Sequence, residues 1–397
     1  MTGTPLRLRP GLRVLVRDVD AVQVGQDPRW AVVLDGLAPA EVAMWARVDE
    51  ATDLAALPAA ARHTRTDAAR TRELVAALHT AGLVRPDPPR ARVVRGPTAA
   101  DATAWSLLHP DALGEDVVRG RADAVVGVVG LGPTGAGTAR LLAAAGVGTV
   151  LLDDEGTVGS ADVAGGTHRW SDVGAPRTAA LRRVLRDVAP DVRVDGDAEP
   201  DVVVVVEPDA ADPARGALLT ANGVPHLSVV VRAADAVVGP CVRPGTADPC
   251  LRCLDLHRAD ADPGWPRVLA ATTARRGEVA DRSAPRPGEV GVLAAACAAL
   301  ASAQVLALLA GTVPLLCGTT AELALPDVVP RLRPWAPHPG CGCGAPPTPA
   351  GSAPGSAAGS AAGSAAGSAA GSAAGSAAGM TTPGSARTLH AGPGVGV

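Results

Sequence analysis

Phenylalanine and tyrosine are absent from this chain, lysine and isoleucine are absent too, and Asn222 is its only asparagine. With no lysine, all 36 basic residues are arginines. That excludes a Schiff-base amine, a lysine general base and a lysine phosphate ligand. With no Phe, Tyr or Ile, the core must be built from Val, Leu and Ala around six tryptophans. The codons of all five scarce residue types are AT-rich, so the sequence reads as the product of a GC-rich bacterial gene. A net charge of −4 gives no electrostatic footprint for nucleic acid. No signal segment is recognised at the N-terminus. The most apolar stretch, Gly291–Ala310, carries Ser302 and Gln304 and reads as a buried helix, so no membrane association is expected. The expected location is cytoplasmic, with the seven cysteines reduced or metal-bound rather than paired.

What is present divides the 397 residues into four stretches. Residues 1–90 read as a small α+β unit. Leu12–Val16, Ala21–Val24 and Trp30–Leu34 have the composition of short strands, and Pro39–Val48 and Asp67–Ala81 the spacing of helices. A hairpin with helices resembles a winged helix. Its second helix balances Arg65, Arg70 and Arg72 with Asp67 and Glu73, so a peptide added along the sheet edge suits it better than DNA. Residues 91–120 form a connector with one helix predicted near Asp101–Leu107. Residues 121–345 form the large domain. From 346 onward the chain is a Gly/Ser/Ala-rich tail in which Gly-Ser-Ala-Ala recurs six times from Gly355 to Ala378. Such a tract buries too little surface to offset its chain entropy, so disorder is predicted.

The large domain is organised by Val125–Asp154. An apolar run, Val125–Val129, is followed by Gly130-Leu131-Gly132-Pro133-Thr134-Gly135, then a helix that stops at Gly146, then a second strand leading to Asp153 and Asp154. A G-x-G-x-x-G between strand and helix, with an acid about twenty residues on, is the order of a nucleotide-binding βαβ unit. Gly130, Gly132 and Gly135 let the backbone approach phosphate, and Asp153 can accept from ribose hydroxyls. Arg177–Val188 reads as a helix, Val192–Val194 as a short strand, and the five valines Val202–Val206 as a strand buried on both faces. Glu207 and Asp209 follow it, so with Asp153 they are expected at one mouth of a doubly wound sheet. His226–Val231 and Ala236–Val242 read as further strands, and Ala259–Glu289 as a loop.

Two close cysteine pairs, Cys250/Cys253 and Cys341/Cys343, are remote from each other in sequence. Four thiolates suit a closed, tetrahedral structural Zn²⁺. Because C-x-C is the tighter chelate, His338 or Cys241 stands as an alternative ligand. Cys297 and Cys317 read as core residues.

Taken together, GLGPTGAG, AAAGVGTVLLDDEGTV, VGAPRTAAL, DVVVVVEPD, PCLRC and GVLAAACAALASAQVLALLAG resemble, in order, the ThiF/MoeB superfamily of ubiquitin-activating-type adenylyltransferases. The resemblance covers about residues 121–345 and implies a Rossmann-like α/β domain, a homodimer, ATP and Mg²⁺, and adenylation of a small protein or peptide carboxylate. It implies roles for Arg177 and Asp209 at the phosphates and metal. It also exposes departures. The family's Asn, Arg and Gln fall near Asp162, Gly165 and Gly166, so its phosphate-binding arginine is missing, and Ala259–Glu289 contains no thioester cysteine. A narrower resemblance accommodates these losses. A winged-helix-like N-terminus joined to PCLRCLDLHR and a closing HPGCGC is similar to the leader-peptide-binding, cyclodehydratase-associated proteins of thiazole/oxazole-modified peptide pathways. This implies a scaffold that presents a leader peptide to a separate YcaO-type partner. Activation of a carboxylate by ATP and the scaffold role stand as the two alternatives.

Overall fold

The computed structural model describes residues 4–63, 66–86, 94, 96–108, 114–278, 288–344 and 387–390. All the Gly-Ser-Ala-Ala repeats lie outside them. Contacts divide the chain into two units, one formed by residues 1–92, 106–111 and 348–397, the other by 93–105 and 112–347.

In the first unit β1 (Leu6–Leu8) pairs antiparallel with β5 (Val84–Pro86). Strands β2 (Val14–Asp18), β3 (Ala21–Val24) and β4 (Val32–Asp35) form an antiparallel meander. Three helices, α1 (Pro39–Trp45), α2 (Leu57–His63) and α3 (Ala68–Thr80), complete it. The Asp67 side chain caps α3 by accepting from the backbone N–H groups of Ala69 and Arg70. Trp45, Val22, Leu34, Leu54 and Leu78 are fully buried in one cluster, so a core without Phe, Tyr or Ile closes around a tryptophan. The three predicted strands and two predicted helices are present with ends displaced by up to three residues. A fourth strand, β13 (Arg387–His390), comes from the tail and pairs parallel with β4.

Two further helices follow in the chain, α4 (Ala99–Leu108) and α5 (Gly114–Arg121). The second unit is a seven-stranded mixed sheet in the order β12-β11-β10-β9-β8-β6-β7. Its parallel part is β6 (Val125–Val129), β7 (Thr149–Asp153), β8 (Val202–Pro208) and β9 (His226–Val231). Antiparallel β10 (Asp235–Val242), β11 (Thr319–Ala324) and β12 (Arg331–Pro334) extend one side. Val202, Val204 and Val206 face a layer made by α6 (Pro133–Ala144), α7 (Arg177–Val188) and α11 (Gly291–Leu309). Val205 faces the other way, toward α8 (Pro213–Ala221) and α9 (Leu251–Ala261). Helices on both faces explain why β8 tolerates five consecutive valines. Helix α11 is long and apolar enough to cross a membrane, but Leu293, Ala294, Cys297, Ala298 and Ala301 are buried in this core.

Three expectations are corrected. Disorder is predicted from residue 346 onward, but Arg387–His390 form β13, because a strand needs only backbone partners and β4 supplies them. Val192–Val194 is not a strand: a single bridge joins Arg193 to Thr149, with Arg193 N–H donating to the Gly148 carbonyl. Nor is Ala259–Glu289 a loop throughout. It contains α10 (Trp265–Glu278), whose weak apolar periodicity hid it, while residues 279–287 lie outside the described residues.

Candidate functional site

The glycine motif forms the tight passage from β6 into α6. A Cβ at Gly130, where φ is +82°, would lie 2.2 Å from the Val206 carbonyl oxygen, and one at Gly135 would lie 1.8 Å from the Gly130 oxygen. Both glycines are therefore demanded by close backbone approach of helix and strands. Gly132 differs. Its φ of −62° suits any residue, yet a Cβ would meet Glu289 Oε1 at 2.4 Å. The Glu289 carboxylate sits on the first turn of α6, accepting from Thr134 N–H at 2.9 Å and from the Thr134 hydroxyl at 2.5 Å. It takes the position at a helix N-terminus that suits an anion. Burial pushes the Glu289 carboxyl above its ordinary range, against the two Thr134 hydrogen bonds that favour its charge. The loop is held from below by buried His168, whose Nε2 donates to the Leu131 carbonyl at 2.9 Å.

Beside the loop, Arg177 at the start of α7 lies between two carboxylates. Its Nε and Nη2 donate to Asp162 Oδ2 at 3.0 and 2.8 Å, and its Nη1 to Asp154 Oδ2 at 3.4 Å. Asp154 accepts from Leu131 N–H and Gly156 N–H, so it ties the glycine loop to the β7 exit. Burial works against the Arg177 charge, but the hydrogen bonds to Asp162 and the charges of Asp162 and Asp154 outweigh it and hold the guanidinium above its usual value. Near Gly165, where the resemblance expects an arginine, there is no space for one: a Cβ would lie 2.7 Å from that of Pro133.

The predicted acids are distributed differently from the expectation. Asp153 ends β7 and is exposed, while its backbone carbonyl accepts from Gly130 N–H. Asp209 follows β8, exposed and left-handed at φ 66°. Glu207 does not join them at the mouth: its carboxylate accepts from Asp212 N–H at 2.9 Å, next to the Asp212 cap of α8. Sequence reasoning missed Glu289, Asp154 and Asp162 as the groups that fill the site. The doubled acid at 153–154 was a signal for one of them; Glu289 is distant in sequence and left none.

The residues present do not fit a bound triphosphate as they are arranged. Thr134 N–H and its hydroxyl are taken by Glu289, Leu131 N–H by Asp154, and the guanidinium by Asp162 and Asp154. Phosphates would have to displace these carboxylates or crowd negative charge among them, with no lysine in the chain to compensate.

The second constellation fits its metal. Sγ separations are 3.9 Å for Cys250–Cys253, 3.6 Å for Cys250–Cys341 and 3.4 Å for Cys253–Cys343. All four sulfurs lie within 4.8 Å of one another. Tetrahedral Zn–S bonds of about 2.3 Å place sulfurs roughly 3.8 Å apart. The two pairs come from the N-terminus of α9 and the chain after β12, and Val242, Leu254 and Trp335 pack around them. The alternative ligands are otherwise engaged. Cys241 is hydrogen-bonded to Cys317, and His338 Nε2 bonds Asp260 at 2.8 Å while its Nδ1 accepts from Gly340 N–H. A closed Cys₄ site would clip two distant segments together and leave no position for substrate.

Residues 107–238 match the model of the ThiF family. No curated protein matches the chain. Among solved structures it is similar to E. coli MccB with ATP, at a TM-score of 0.62 and 14% identity, covering 85% of this chain and 99% of that one. MccB with AMPCPP and MccA gives a TM-score of 0.64 at 14% identity, covering 86% and 99%. PaaA gives 0.63 at 16% identity, covering 82% and 98%. At such identities the likeness is one of fold.

Proposed function

We propose that this chain, whose residues 107–238 match the ThiF family model, is a scaffold that does not use ATP, one that binds the leader segment of a precursor peptide and presents it to a separate YcaO-type cyclodehydratase. The observation that carries this reading is the Glu289 carboxylate seated on Thr134 at the head of α6. It occupies, from within the chain, two donors at the helix N-terminus, the Thr134 N–H and hydroxyl, that an adenylyltransferase would turn toward phosphate. The paired state of Arg177 and the crowded position of Gly165 support the same reading. So does the small antiparallel sheet of the first unit, whose edge can take a peptide as an added strand. The likeness to MccB, a microcin C7 biosynthetic enzyme solved in complex with N-formylated MccA, supports a role in a biosynthetic pathway with a partner held in complex. The Cys₄ cluster then holds Zn²⁺ for structure alone, and a cytoplasmic location suits its thiolates.

The test is calorimetric titration of the full, zinc-replete chain. No saturable heat with ATP·Mg²⁺ at millimolar ATP, together with binding of a leader peptide from a precursor encoded beside a YcaO-type gene, is the expected pair of results. The second reading, ATP-dependent activation of a protein or peptide carboxylate by a homodimer, keeps the support of the intact glycine loop, of Asp153 and of MccB structures that hold ATP. Saturable ATP binding that Asp153→Ala abolishes would establish it and overturn the scaffold.

A further inference from the structure

The antiparallel meander of the first unit ends at β4, and an end strand exposes a row of unpaired N–H and C=O groups that templates any extended segment. Here that row is covered by the chain itself. Arg387 pairs with Val32, Thr388 with Val33, Leu389 with Leu34 and His390 with Asp35, all in parallel. The covering segment differs in composition from what precedes it. After the Gly-Ser-Ala-Ala repeats, which lack any β-branched residue, the chain turns to Thr381-Thr382-Pro383-Gly384-Ser385-Ala386-Arg387-Thr388-Leu389-His390 and then Gly392-Pro393. A short stretch containing Thr and Leu, bracketed by Pro and Gly, has the pattern of a strand delivered by a tether.

We infer that the edge of β4 is a peptide-docking edge whose resident occupant is the chain's own segment Arg387–His390, so that a peptide partner that docks on this edge must displace this strand. The inference deepens the scaffold reading and rests on it only in taking the incoming partner to be a leader peptide. The tether gives the resident its advantage. Residues 345–386, 42 residues, join this strand covalently to the rest of the chain. A tether of that kind holds its end at an effective concentration on the order of 1 mM. An incoming peptide of the same intrinsic affinity, taken as a Kd on the order of 100 µM, is then weakened about tenfold. A leader with more contacts than four backbone pairs overcomes that, whereas weakly matching peptides do not. The tail thus acts as a threshold on which peptides are accepted.

The test uses the full chain and the double variant Thr388→Pro/Leu389→Pro, which removes two backbone N–H groups from β13 and leaves the sequence of β1–β12 and of every helix unaltered. Hydrogen–deuterium exchange read at Val32–Asp35 is the first measurement. Those β4 amides that face the tail are expected to exchange at least about tenfold faster in the variant. Equal exchange in the two proteins overturns the inference. Addition of a synthetic peptide of residues 384–393 at 1 mM is expected to restore slow exchange in the variant; failure to do so overturns it as well. Failure of the scaffold reading is separable. If the wild-type edge is protected by the tail but no leader peptide binds either protein, the cis strand stands and the scaffold falls. If the wild-type edge exchanges freely while a leader binds, the scaffold stands and the cis strand falls.

Discussion

Glu289→Ala is the sharpest perturbation of the arrangement at the head of α6. Thr134 is fully buried, so removing the carboxylate leaves its N–H and hydroxyl without their acceptor in a place water reaches poorly. Such an orphaned pair costs about 2 kcal/mol. For a unit of this size that lowers Tm by roughly 4–8 °C. Gly132→Ala supplies the control. Its backbone is extended and accepts alanine, but the new Cβ would lie 2.4 Å from Glu289 Oε1, so the side chain must swing away and give up the same hydrogen bonds. Both single variants, and the double variant, are therefore expected to lose about the same 2 kcal/mol, a coupling about as large as either effect. Differential scanning calorimetry of the full chain, following the transition of the larger unit, reads all three. Additive losses, or a Glu289→Ala protein that melts with the wild type, would refute the seating of this carboxylate on the loop. The pH dependence adds a sign. Because the folded carboxyl titrates above its ordinary 4.5, the native state holds a proton the unfolded chain has lost between those values. Its contribution is full below 4.5 and fades as pH rises through the folded value, so Glu289→Gln gains stability relative to wild type as pH increases.

Arg177→Met leaves Asp154 and Asp162, each with a side chain 7% exposed, without their cation and is expected to destabilise the larger unit by about 3–5 kcal/mol; a urea midpoint unchanged from wild type would contradict this. Zinc analysis should return one ion per chain, lost in Cys253→Ser, and chelation should change the fluorescence of Trp335, which packs on the cluster; metal-free protein with an unaltered spectrum would exclude the site. Burial holds His226 below its ordinary 6.5, with its backbone bond to Val224 opposing, so the unfolded chain binds the proton first as pH falls. The stability this residue contributes is present above 6.5 and lost below it, and His226→Gln should flatten that part of the profile between pH 7.5 and 5.

Elements whose causes are local are legible in the sequence. An apolar run, three spaced glycines and an acid specify a βαβ unit because each requirement lies within thirty residues. Gly130 and Gly135 are legible since no other residue lets a helix approach a strand so closely. The two cysteine pairs were equally plain, because few uses other than a metal explain four thiols in that spacing. What fills the loop depends on long-range packing. Glu289 lies 155 residues from Thr134, and nothing in its neighbourhood says that α11 packs on α6 and brings it there. The pairing of Arg177 with Asp162, the turn of Glu207 toward α8 and the exclusion of Cys241 and His338 from the Cys₄ cluster are likewise matters of packing, fixed by which faces meet. The tail is the extreme case. Composition marks residues 346–397 as unable to build a core, which concerns burial, whereas Arg387–His390 join the fold through backbone hydrogen bonds, which any extended segment can make once an open strand edge is within reach of its tether.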